Sequence, residues 1–138
     1  MTANAYLSSS YFTERVQAPH EVTDDAKLAA IISDLETEGW TGRPLLLVEE
    51  CDEDGEPTDS YTALTGSHRI AALRDLYRDG IDFEIPCVVV PGTLLAESGY
   101  STSDCGDEDA SLAVLEAIGA EDAIATIKAE IDANNEEA

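Results

Sequence analysis

The sequence predicts an α/β (α+β) fold, a small mixed sheet with helices packed against it and a helical extension at the C-terminal end. Three apolar runs, at 45–48, 61–64 and 85–90, supply the strands. A helical pattern at 24–38 precedes them and another at 67–79 divides the second from the third, and each is closed by a glycine, Gly39 or Gly80. The chain has 138 residues, 43% of them hydrophobic, which suffices for one modest core despite a net charge of -23.

In chain order, residues 1–21 are weakly patterned and read as an N-terminal extension. Tyr11, Phe12 and Val16 are the candidates there for an edge strand, and His20, after Pro19, reads as a surface or packing residue. Thr23 is the expected N-cap of the first helix, with Asp24 and Asp25 in its first turn. Leu28, Ile31, Ile32 and Leu35 follow helical spacing and mark its buried face. Trp40 to Pro44 connects into Leu45-Leu46-Leu47-Val48, an unbroken apolar run that suits a buried strand. Glu49 to Asp59 is an acidic stretch. Glu50, Asp52, Asp54 and Gly55 match the early positions of a calcium loop, but Tyr61 falls where the bidentate carboxylate belongs. The flanks also read as strands, so a hairpin is expected.

The chain is organised around the next stretch. Tyr61, Ala63 and Leu64 suit a strand, Gly66 a sharp turn, and Ile70, Leu73 and Tyr77 the apolar face of a helix. A strand, a glycine and a helix start together present unpaired backbone N–H groups and partial positive charge to an anion. Arg69 stands in that first turn, where its own charge opposes the helix dipole and calls for a reason. Arg69, Arg74 and Arg78 fall in this one helix, three of only seven basic residues against 30 acidic ones. The residues therefore leave two alternatives open, a phosphate site at 65–69 and an ordinary strand–turn–helix. Past Gly80, Ile85 to Val90 form the third strand and Cys87 is a small core residue within it. Residues 93–107 read as a loop. A helix is expected from Asp107 with Leu112, Leu115 and Ile118 on one side. After Gly119-Ala120, a last amphipathic helix carries Ile124, Ile127 and Ile131 and frays at Asn134-Asn135.

Composition excludes several classes. So negative a chain argues against direct nucleic-acid binding, because neutralising phosphates supplies most of that affinity. The acidity suits mimicry of nucleic acid toward a basic partner, solubility in high salt, or a plain solvated surface. No apolar run is long enough for a membrane span, and the first residues lack a secretory pattern. Cys51, Cys87 and Cys105 are odd in number and unpaired in spacing, so free thiols, no metal and a cytoplasmic location are expected.

The element order and the run Gly66-Ser67-His68-Arg69-Ile70-Ala71-Ala72 resemble the ParB/sulfiredoxin-like superfamily. The resemblance covers residues 22–91, with 92–138 as a loop and helices packed on the same domain. It implies a nucleoside di- or triphosphate, with Mg²⁺, held at the helix start by Thr65, Gly66, Ser67, His68 and Arg69. Lys27 on the first helix is a further candidate. His68 would be the proton-transfer group of a weak NTP hydrolase or phosphotransferase. Ser67 stands where sulfiredoxins carry cysteine, which disfavours their repair chemistry. Thr65 stands where many relatives carry an acid, which leaves a metal-assisted reaction without that carboxylate. The alternative function is a non-catalytic acidic interaction protein, a nucleic-acid mimic or inhibitor, that binds a basic protein.

Overall fold

The computed structural model describes residues 3–18, 22, 24–40, 44–105 and 108–137. The strands β1 (Ala5–Ser8), β2 (Val16–Gln17), β3 (Leu45–Cys51), β4 (Pro57–Ala63) and β5 (Glu84–Pro91) form one sheet of order β1-β5-β3-β4-β2. The sheet is mixed: β3 runs parallel to β5 and antiparallel to β4, while β1 is antiparallel to β5 and β2 parallel to β4. The helices are α1 (Ser9–Glu14), α2 (Asp25–Glu38), α3 (Ser67–Arg78), α4 (Gly92–Glu97), α5 (Glu108–Ile118) and α6 (Glu121–Glu137).

The apolar runs are unbroken because both faces of the central strands are covered. Side chains alternate across a strand, so Leu45, Leu47, Ile85 and Cys87 join a core with Phe12, Leu35, Ile70 and Leu73 from α1, α2 and α3. Leu46, Val48, Val88 and Val90 point the other way and pack with Leu95, Leu115, Ala123 and Ile127 from α4, α5 and α6. The C-terminal helices are thus the second layer of the domain.

The N-terminal segment is woven into the same sheet. β1 and β2 are its two edge strands, with Val16 in β2, whereas Tyr11 and Phe12, expected in an edge strand, lie in α1. Asn4 prolongs the β1–β5 pairing through its side chain, which donates to the Val89 carbonyl (3.0 Å) and accepts from the Val89 N–H (2.8 Å). Arg74 fastens α1 and β2 to α3: its Nε donates to the Phe12 carbonyl (2.5 Å) and its Nη2 to the Val16 carbonyl (2.7 Å). Burial pulls its pKa below the usual arginine value, yet it keeps two strong acceptors. Arg74→Met should therefore cost about 2 kcal/mol in urea unfolding, since charge-assisted bonds are lost and two carbonyls are left without a partner. A loss under about 0.5 kcal/mol, typical of a surface site, would refute that role.

Several expected boundaries move. Asp24 caps α2, its side chain accepting from the Lys27 N–H at 3.0 Å; Thr23, the expected cap, lies outside the described residues, as do His20, residues 41–43 and Asp107. The hairpin is present, with Asp52 Oδ1 accepting from the N–H groups of Asp54 (2.9 Å) and Glu56 (3.0 Å), so that carboxylate closes the turn. Residues 93–107, expected as a loop, contain most of α4 and a 3-10 turn at Thr102–Asp104. Six residues are too few to show a helical period, but Leu95 anchors α4 in the second core. α6 continues to Glu137 through the expected fraying point. No helix among the described residues is long and apolar enough to cross a membrane.

Candidate functional site

The start of α3 is built by three converging segments. Gly66 is the N-cap in left-handed conformation (φ 84°), a backbone angle that favours glycine, and a Cβ there would meet Leu45 Cδ2 at 2.5 Å, so a side chain would also have to move the Leu45 tip. It offers no side-chain cap, and the first turn holds no acidic residue. From the connection after α2 comes Trp40, whose ring lies 5.1 Å from the Arg69 guanidinium carbon. From the opposite layer comes α6, whose Glu130 carboxylate accepts from Arg69 Nη2. Only 17% of the Arg69 side chain and 9% of the Glu130 side chain are exposed.

Here is the reason for a cation at the wrong end of a helix dipole. Arg69 joins the two helical layers around the end of the sheet, held by an indole face and a carboxylate. The sequence offered no signal for Glu130, which is 61 residues away. Trp40 was legible only as a connecting residue.

Among the described residues, three buried polar atoms lack a hydrogen-bond partner: Trp40 Nε1, Thr65 Oγ1 and His68 Nε2. Thr65 is 5% exposed, so its hydroxyl has no ready access to bulk water. An indole N–H only donates, a hydroxyl donates or accepts, and an imidazole nitrogen does either according to tautomer. Such atoms are costly to leave unpaired, and each is able to donate to an acceptor.

The residues named from sequence are partly gathered here. Thr65, Gly66, Ser67, His68 and Arg69 occupy one turn of chain, with Ser67 buried. Lys27 stands apart. It opens α2 while Trp40 follows that helix's end, a separation of about 17 Å along the axis.

No family model, no curated protein and no solved structure matches this chain. The geometry of its own residues is what a functional reading rests on.

A concavity of about 700 Å³ lies along β2 and β4, between Arg15, Glu50, Tyr61, Thr62 and Ser103. Residues 65–69 do not line it. Two of its polar side chains are already engaged: Thr62 donates to the Glu50 carboxylate, and Arg15 pairs with Asp59 at 3.6 Å. Burial, then the neighbouring Glu49 and Asp59 charges, push the Tyr61 hydroxyl above its ordinary pKa, which keeps it protonated. The cysteines are free thiols. Burial raises Cys87 to about 12 and raises Cys105 as well, so neither is a thiolate nucleophile at neutral pH. Among the described residues no group of three or more His, Cys, Asp or Glu could hold a metal ion.

Proposed function

We propose that this protein binds the phosphates of a nucleoside di- or triphosphate at the start of α3. The observation that carries the reading is the trio of buried, unpartnered atoms, Trp40 Nε1, Thr65 Oγ1 and His68 Nε2, around a glycine-capped helix start. A phosphate is an acceptor that such groups and a helix N-terminus both favour. The motif Gly66-Ser67-His68-Arg69 and its likeness to the ParB/sulfiredoxin-like pattern support the same ligand. In this reading Thr65, His68 and Trp40 donate to phosphate oxygens, and Mg²⁺ offsets repulsion from the acidic chain. Any hydrolase or phosphotransferase activity would use His68 for proton transfer.

The test is a thermal-shift screen of nucleoside di- and triphosphates with and without Mg²⁺, repeated on Thr65→Val. A ligand at about 100 times its Kd adds about 2.7 kcal/mol to stability, a shift of several degrees. Valine keeps the shape and removes an unpaired hydroxyl, so the unliganded variant should be as stable as wild type or more so. Its nucleotide shift should shrink. An undiminished shift in Thr65→Val would remove that hydroxyl from the site.

One observation favours the second reading, an acidic protein that engages a basic partner. Glu130 already neutralises Arg69, the cation on which a phosphate site would most rely. No shift with any nucleotide, at low or high salt, would leave this reading in place of the first.

A further inference from the structure

We infer that α6 is a latch on the α3 site, with the Glu130 carboxylate holding on Arg69 the position that a ligand phosphate takes. This rests on the phosphate-binding reading above. Arg69 is nearly buried, and its guanidinium is met by a carboxylate, an anion with the same fork-compatible oxygens as a phosphate. Two anions on one buried guanidinium repel, so a phosphate arriving there displaces the carboxylate.

The packing of α6 says where it would give way. Ala123, Thr126 and Ile127 are buried against the sheet and the other C-terminal helices, and they anchor the first half of the helix. Over residues 128–132 the support thins: Lys128 and Asp132 are exposed, Ala129 is half-buried, Ile131 is half-buried against the second core, and Glu130 is buried with its carboxylate on Arg69. Losing the Arg69 contact therefore loosens the stretch after Ile127 and leaves the anchored half in place. Ligand binding and release of this helix end are then linked, so a partner that captures the released end tightens ligand binding by the same factor.

The experiment titrates pyrophosphate, with and without Mg²⁺, into wild type, Glu130→Gln and Asp132→Asn by calorimetry. Glutamine keeps a hydrogen bond to Arg69 but removes the competing charge. A latch closed at least about nine-tenths of the time suppresses affinity about tenfold or more, so Glu130→Gln should bind at least about tenfold more tightly. Asp132→Asn makes the same charge change at an exposed neighbouring position and should leave affinity within about twofold. Amide exchange on wild type supplies a measurement that needs no variant: pyrophosphate should speed exchange in 128–137 and not in 121–127. Equal affinity for wild type and Glu130→Gln, an equal gain in Asp132→Asn, or unchanged exchange in 128–137 would each overturn the latch while leaving the phosphate site standing. No pyrophosphate or nucleotide binding by any of the three proteins would overturn both.

Discussion

Arg69→Ala is expected to destabilise the unliganded protein by about 3 kcal/mol, a fall of about 10 °C in midpoint. An exposed ion pair would be worth far less, because water and salt screen it. Here the substitution takes the guanidinium away from Glu130, 6% exposed, whose carboxylate must then stay buried without it or draw the end of α6 away from the sheet to reach water. It also removes the cation from the face of Trp40. Urea unfolding without ligand measures the effect, and the double variant Arg69→Leu with Glu130→Leu checks its cause. Removing both charges should recover most of the loss, since the penalty comes from the carboxylate that has lost its guanidinium more than from the pair itself. A loss below about 1 kcal/mol for Arg69→Ala would mean that Glu130 finds water, and that the contact is a surface pair. Arg74 is no neutral comparison for this site, because it has its own structural bonds to Phe12 and Val16.

Ile127→Ala should cost about 3–4 kcal/mol, within the range for emptying a fully buried aliphatic site. Ile127 has no exposed surface and packs in the core that contains Leu46, Val88 and Leu115. The cost combines lost transfer free energy with a cavity that the sheet on one side and α5 on the other cannot readily close. Lys128→Ala, next to it and exposed, should change stability by no more than about 0.5 kcal/mol. Urea unfolding of both variants decides the matter. A single transition with a lowered midpoint and unchanged slope for Ile127→Ala means that α6 and the sheet unfold as one unit. A loss near that of Lys128→Ala would make the C-terminal helices an appendage.

Much of the architecture was legible because it is written in local periodicity. Leu45 to Val48 and Ile85 to Val90 read as strands from composition alone, and each forms a central strand. Leu28, Ile31, Ile32 and Leu35 marked the buried side of α2, and all four pack in or against the first core. Gly39 and Gly80 closed their helices at positive φ, as expected of residues that tolerate it. The expected strands were too short where polar residues enter the ladder: Glu49 to Cys51 and Pro57 to Ser60 pair in the hairpin with no apolar run to announce them. For a related reason β1 was missed, and β2 was legible only through Val16 as an edge-strand candidate. β2 has two residues and β1 four, too few for alternation to stand out, and their partners lie far along the chain.

The sequence by itself determined the mixed α/β class and the central strand–glycine–helix, with Gly66 permitting its sharp turn. Those follow from backbone angles and side-chain spacing within a few residues. Only the tertiary structure decided what Arg69 does. Its charge opposed the helix dipole, which marked it as a residue needing a partner, but Glu130 and Trp40 reach it from segments whose approach no local pattern encodes. The buried, unpaired state of Thr65 Oγ1 and His68 Nε2 is likewise a property of packing. Burial and hydrogen bonding are set by which distant segments pack together.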